Sequence, residues 1–266
     1  MTVPWLIVCL GIFLIGLTKS GFGSGVGLLN VPMIVLAMGY TDRGSQAALG
    51  LMLPLLILGD LIAIWQYRKL FSPGIIRHLL PGTLAGVVLG GLLLWWFHQQ
   101  QAIVGALIRL EIGFECMLLV GLHWWRQAKG MQHHLLPEPL RGTLAGCFAA
   151  VSSTLAHAAG PIIAMYLLPL KLERQLFVGT CALYFFLLNT AKLPAYYQAG
   201  LFQHAELGFT IKFAPLVLIG ALFGWWLLKR MSDKVFANVL YIVTFVLGSY
   251  LLVDGTWAVV KYWRTV

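Results

Sequence analysis

Charge is scarce in this chain. Its 266 residues include 18 Lys and Arg and 9 Asp and Glu, so only 10% are charged. Soluble domains carry about 25%, which argues against a water-soluble fold and leaves no room for a separate soluble domain. Cysteine is also sparse. Cys9, Cys116, Cys147 and Cys181 are scattered through apolar segments without metal-type pairing and read as small buried hydrophobes. His123, His133 and His134 flank a basic loop, but their spacing matches no standard metal site. No metal and no cofactor is implied. No GK[ST] follows the glycine-rich run and no strand precedes it, which excludes a nucleotide-binding loop. The first 17 residues are apolar without a basic n-region, so they read as the start of the membrane domain rather than a cleaved signal peptide.

What is present is apolar: 60% of the residues are hydrophobic, and the mean hydropathy is +0.86. Runs long enough to cross a bilayer, about 20 residues each, recur along the chain. The expected fold is an all-α polytopic integral membrane protein. Apolar segments fall at 3–17, 26–39, 45–66, 75–97 and 102–125, then, after a polar loop at 126–139, at 140–152, 160–170, 175–198, 206–229 and 235–259. The net charge of +9 does not mean nucleic acid, because the basic residues cluster in short loops, as the positive-inside rule requires.

The order of segments in one half repeats in the other. Aligning Pro32 with Pro161 brings Gly50 onto Gly179 and Asp60 onto Asn189. With a few residues of slippage Pro81 falls on Pro215, Gly86 on Gly220 and Gly90 on Gly224. Each repeat, about 1–125 and about 140–266, is expected to hold a broken or re-entrant helix pair followed by three transmembrane helices. Together they are expected to form a single transmembrane domain. Three full crossings invert one half relative to the other. Trp95, Trp96, Trp124, Trp125, Trp225, Trp226 and Trp257 lie near segment ends, where interfacial belts form.

The two breaks carry the chemistry. The first spans residues 16–27 (GLTKSGFGSGVG) and the second residues 150–161 (AVSSTLAHAAGP). Interrupted apolar segments at corresponding places in two halves point to a transporter's binding site, because backbone that leaves the helix at membrane depth needs partners in protein or in a watery cavity. Lys19 lies inside the first break, and an intramembrane ionisable group is a functional candidate by default; the bland alternative is snorkelling to an interface. Gly21, Gly23 and Gly25 would let backbone N–H groups approach a ligand, or serve close helix packing instead. Helices starting after the glycines and near Gly160 would aim positive dipole ends at an anion. Ser20, Ser24, Ser152, Ser153 and Thr154 offer hydroxyl donors, each with the alternative of bonding its own helix. His157 is a donor, a proton relay or a core histidine.

Further along, Asn189 and Lys192 lie inside the segment 175–198, and Asp60 is a counter-ion for Lys192 or Lys19. Glu115, sharing a helical face with Glu111, is a second coupling or counter-ion candidate, read with Arg109 as a polar lining. A serine of the second break with His157 invites an intramembrane hydrolase, but no nucleophile-elbow pattern surrounds Ser24, Ser152 or Ser153. The expected function is therefore transport of a small anion, by a carrier or a channel, and not catalysis. A small carboxylate fits the residues as well as a sulfur oxyanion does.

Three stretches also resemble a known family. GLTKSGFGSGVGLLNVPMIVLAMG (residues 16–39), SSTLAHAAGPIIAMYLL (152–168) and NTAKLPAYYQAGLF (189–202) are similar to the sulfite exporter TauE/SafE family. The resemblance covers essentially the whole chain. It implies a multi-pass bacterial inner-membrane transporter that exports sulfite or an organosulfonate, with the lipid bilayer and the anion as partners and a homodimer left open. The chain departs from the family's pattern at Ser152, Ser153, Thr154 and His157, where many members carry more glycines.

Loop charge sets an orientation. Arg68, Lys69 and Arg77, then Arg126, Lys129 and Arg141, then Lys171 and Arg174, then Lys229, Arg230 and Lys234 fall in four connections, whereas 98–102 and 199–205 hold no Lys or Arg. The four basic connections belong in the cytoplasm and both termini outside. Lys261 and Arg264 pull mildly the other way. In a cysteine-free background, Gln100→Cys and Gln203→Cys should react with an impermeant thiol reagent in intact cells and Gln127→Cys should not. Labelling of Gln127→Cys would overturn this topology.

Overall fold

The computed structural model describes residues 3–23, 30, 33–34, 37–38, 44–98, 106, 110, 113–114, 117–118, 120–121, 124–125, 128–129, 137–167, 170, 172–204, 207–230 and 232–265. Among them every regular element is helical. In chain order these are α1 (Val3–Phe22), α2 (Gly44–Gln66), α3 (Pro73–His98), α4 (Glu138–Ala156), α5 (Gly160–Leu167), α6 (Arg174–Ala191), α7 (Leu193–Gln198), a 3₁₀ turn (Leu201–His204), α8 (Leu207–Arg230) and α9 (Asp233–Thr265). Among the described residues, five stretches are long and apolar enough to cross a membrane: Trp5–Phe22, Ala48–Gln66, Pro73–Trp96, Arg174–Gln198 and Gly208–Arg230.

Two expected boundaries move. The last turns before each break, 16–22 and 150–156, remain helical, so each break begins later than its glycines and serines imply. The segment 175–198 is not one helix: α6 stops at Ala191 and α7 starts at Leu193. Pro194 accounts for the interruption, since it lacks an N–H and its ring collides with the carbonyl four residues back. Lys192 sits at the junction.

The helices carry their polarity in reverse of a soluble bundle. On α3, Leu84, Val88 and Leu92 are about 60% exposed, one helical turn apart (60%, 62% and 60%), while Gly82, Gly86 and Gly90 face the protein. Such a row of bare apolar side chains suits lipid rather than water. The inward glycines set the packing, because small residues let membrane helices approach to backbone distance. The Cβ of any residue replacing Gly220 would stand 2.0 Å from the Phe13 carbonyl oxygen, and at Gly224 it would stand 2.2 Å from that of Leu17. This seats α1 on α8. In the equivalent register a Cβ at Gly86 would stand 2.3 Å from the Cys147 carbonyl oxygen and one at Gly90 3.2 Å from Val151 Cα, which seats α4 on α3.

Each half's broken helix thus packs on a full helix of the other half. Gly50 and Gly179, which the same alignment pairs, pack in matching fashion against the Leu201 and Leu70 carbonyls (2.0 and 1.9 Å from a built Cβ). Two apolar clusters fill the space between. One gathers Ile12, Ile15, Met52, Leu55 and Val217 around α2, and the other gathers Leu79, Ile163, Leu167, Tyr184 and Leu188 around α6.

Gly82→Ala places a methyl group 1.7 Å from the Thr143 carbonyl oxygen, whereas Gly208 has nothing within 4 Å. Overpacking of this kind costs about 1–3 kcal/mol. Thermal unfolding in detergent should show Gly82→Ala less stable than wild type and Gly208→Ala unchanged or more stable. Equal melting of the two variants would refute the packing role assigned to these glycines.

Candidate functional site

Both breaks open with a residue in the left-handed conformation. Gly23 has φ +58° after α1, and His157 has φ +54° after α4. Glycine takes this conformation freely, while a residue with a Cβ is strained there. His157 therefore stands where a glycine would be easier to accommodate, and its N–H caps α4 by donating to the Ser153 carbonyl at 2.9 Å. In front of these turns, Thr18, Lys19 and Ser20 occupy the places that Ser152, Ser153 and Thr154 occupy in the second half.

Asp60, in the C-terminal half of α2, is fully buried (0% exposed). Each carboxylate oxygen has its own donor: Lys19 Nζ reaches Oδ1 at 2.6 Å, and Asn189 Nδ2 donates to Oδ2 at 2.7 Å. Lys19 also lies 4.6 Å from the centre of the Phe185 ring, a cation–π contact. One carboxylate thus ties α1, α2 and α6 together. Of the two lysines offered as its partner, Lys19 is the one it binds. Asn189, its counterpart in the repeat alignment, is its second donor.

Lys192 is likewise fully buried (0%), but its partners carry no charge. Nζ lies 3.1 Å from the Ser153 carbonyl oxygen, 2.9 Å from Ser153 Oγ and 2.9 Å from His157 Nδ1. His157 Nε2 is 3.0 Å from the Leu49 carbonyl oxygen. A carbonyl only accepts, so the hydrogen-bond pattern assigns the ring proton to Nε2 and leaves Nδ1 to accept from Lys192. Among the described residues no carboxylate lies within salt-bridge distance of Lys192. The two lysines therefore differ: Lys19 is neutralised by Asp60, and an ammonium at Lys192 would be the uncompensated charge of the pair.

The structure places the other expected residues as follows. Ser153 joins the Lys192 cluster. Thr154 Oγ1 donates to the Ala150 carbonyl at 2.7 Å, so its hydroxyl serves its own helix. Ser152 is buried beside it. Ser20 Oγ is buried with no hydrogen-bond partner among the described residues. Gly21 packs on α8, where a Cβ would stand 2.8 Å from the Gly224 carbonyl oxygen. Gly23 turns the chain, and Gly160, buried, begins α5. Ser24, Gly25 and Glu115, with Arg109 and Glu111, lie outside the described residues.

Two tyrosines complete the clusters and were not picked out from the sequence. Tyr67 OH donates to the Ser20 carbonyl at 2.6 Å, and Tyr196 OH donates to that of Thr154 at 2.8 Å. Each supports the last turn of a broken helix. The register that aligns Asp60 with Asn189 also aligns Tyr67 with Tyr196, so the signal was present. Tyr196 OH stands 3.5 Å from His157 Nε2 as well.

Residues 8–251 match the family model described as Sulfite exporter TauE/SafE. No curated protein and no solved structure matches the chain.

Removing one partner of a buried ion pair costs about 3–5 kcal/mol, whereas apolar replacement of both is often neutral. Lys19→Met and Asp60→Leu should each lower stability sharply, and the double variant should recover most of the loss. A double-mutant cycle by chemical denaturation in detergent measures this. Additive losses would mean that the two side chains do not act as a pair.

Proposed function

Because the chain belongs to the sulfite exporter TauE/SafE family, we propose that it carries a small oxyanion, sulfite or an organosulfonate, out across the bacterial inner membrane. The observation that carries this reading is Lys192: a buried lysine at a helix junction, surrounded by neutral groups and lacking the carboxylate that Lys19 has. A protonated lysine at this place has no carboxylate in contact and so calls for an anion, and the water-excluded site strengthens that attraction. Ser153 and His157 supply hydrogen-bonding groups around the seat. The Lys19–Asp60–Asn189 cluster forms its fixed side.

Burial favours a carrier over an open channel, since Lys192, Asp60 and Asn189 are at most 2% exposed. A conducting pore would leave its site wet from at least one side, while a carrier occludes its site during transport. The reciprocal packing of α1 on α8 and α4 on α3 supports reading the halves as inverted repeats that rock around the seat. An inside-negative potential favours exit of each net negative charge by about 2.3 kcal/mol per 100 mV.

One distance favours a second reading. Ser153 Oγ lies 2.9 Å from Lys192 Nζ, the separation of a serine–lysine hydrolase pair. Yet Ser153 sits within α4, where backbone N–H groups are committed to carbonyls one turn back, so no oxyanion hole stands beside it. Hydrolysis is the weaker account.

Purified protein in liposomes should move sulfite or a simple sulfonate and ignore neutral solutes. A lost charge-assisted hydrogen bond is worth about 1.5–3 kcal/mol, so Lys192→Met should slow transport about 10- to 100-fold. Lys212→Met, which removes an exposed lysine of α8, should leave the rate intact. Normal transport by a properly inserted Lys192→Met would place the seat elsewhere.

A further inference from the structure

The hydrogen bonds around Lys192 fit two protonation states equally well. As an ammonium, Nζ donates to the Ser153 carbonyl, to Ser153 Oγ and to His157 Nδ1, which uses all three hydrogens. As a neutral amine it keeps two donations, to the carbonyl and to Nδ1, and accepts the third bond from the Ser153 hydroxyl, which only has to turn. No heavy atom moves. Lys19 has no such freedom, because its partner is the Asp60 carboxylate at 2.6 Å. His157 fixes the arrangement: its Nε2 donates to the Leu49 carbonyl, so Nδ1 always accepts. That a histidine rather than a glycine occupies φ +54° places the acceptor there at the expense of backbone strain.

We infer that this site binds one proton together with the anion, with Lys192 Nζ as the proton's seat. The inference rests on the anion-carrier reading and adds the coupling to it. The empty carrier would have to bury an ammonium without a counter-ion, so leaving the proton off is the economical state. An arriving anion supplies the missing charge, and the proton then stays: anion and proton arrive and depart as a unit. Among the described residues, the charged and titratable groups facing Lys192 and His157 are Tyr196 from α7, Lys19 from α1 and Asp60 from α2. Lys19 opposes a positive charge at Lys192 and Asp60 favours one, while the two are held to each other as an ion pair. A monovalent sulfonate would cross without net charge, whereas the sulfite dianion with its proton would carry one negative charge, which the membrane potential still drives outward.

Isothermal titration of purified wild-type protein with methanesulfonate, which keeps a single charge at all working pH values, counts protons when run in buffers of different ionisation enthalpy. Uptake of about one proton per anion is expected, with affinity falling about tenfold per pH unit on the alkaline side. Lys192→Arg, whose guanidinium stays charged, should bind with uptake near zero. His157→Gly, which suits the left-handed turn, should fold and keep an uptake of about one proton, because the seat is Lys192 Nζ. Loss of the uptake in His157→Gly would put the proton on the imidazole and overturn the assignment to Lys192. Binding by the wild type without proton uptake overturns the coupling and leaves the anion reading standing. If sulfite binds but methanesulfonate does not, the count is taken as the difference between wild type and Lys192→Arg with sulfite, and equal counts overturn the coupling. Failure of both anions to bind overturns the anion reading itself.

Discussion

Burying a carboxylate among apolar helices is the constraint on which the rest of this structure depends. An isolated ion in such surroundings costs several kcal/mol even after relaxation, so Asp60 must be matched oxygen for oxygen. Lys19 and Asn189 do this at 2.6 and 2.7 Å. That requirement brings the last turns of α1 and α6 to α2. Lys192 then lies close to this cluster without sharing its counter-ion. The site's charge imbalance follows directly from this placement.

Backbone contact keeps the charged core dry and aligned. Glycines at matching positions let α1 lie on α8 and α4 on α3 with carbonyls almost touching the opposing Cα atoms. Close packing of this kind does in the membrane what apolar burial does in water, because lipid offers no hydrophobic force to hold helices together. Tyr67 and Tyr196 tie the last carbonyls of the broken helices, which have no partner within the helix itself. The same device occurs in both halves, but only the second half places histidine at the turn. That difference separates a passive support from a site with chemistry.

Much of this was legible in the sequence. Scarce charge and long apolar runs gave a helical membrane protein, and the glycine and proline pattern gave the family. Register alone aligned Asp60 with Asn189. Long periodic features survive folding because hydropathy dictates them. The exact break positions were less legible, since Gly16 and Gly21 look like helix breakers but act as packing surfaces, and tertiary contact overrides their propensity. Neither could periodicity tell which lysine would take Asp60: the choice depends on the crossing of α1 and α2, which spacing along one chain does not encode. Thr154, offered as a ligand, turns its hydroxyl to the Ala150 carbonyl for the same local reason that threonines do elsewhere in helices.

The central claim is that the anion seat is Lys192 and that Lys19 is already satisfied by Asp60. A structure determined with selenite, the heavier congener of sulfite, tests it most directly by anomalous scattering. The account predicts a selenium peak within hydrogen-bond reach of Lys192 Nζ, beside Ser153 and His157, with the Lys19–Asp60 bond intact. A peak on Lys19 with Asp60 displaced, or one remote from both breaks, would contradict it.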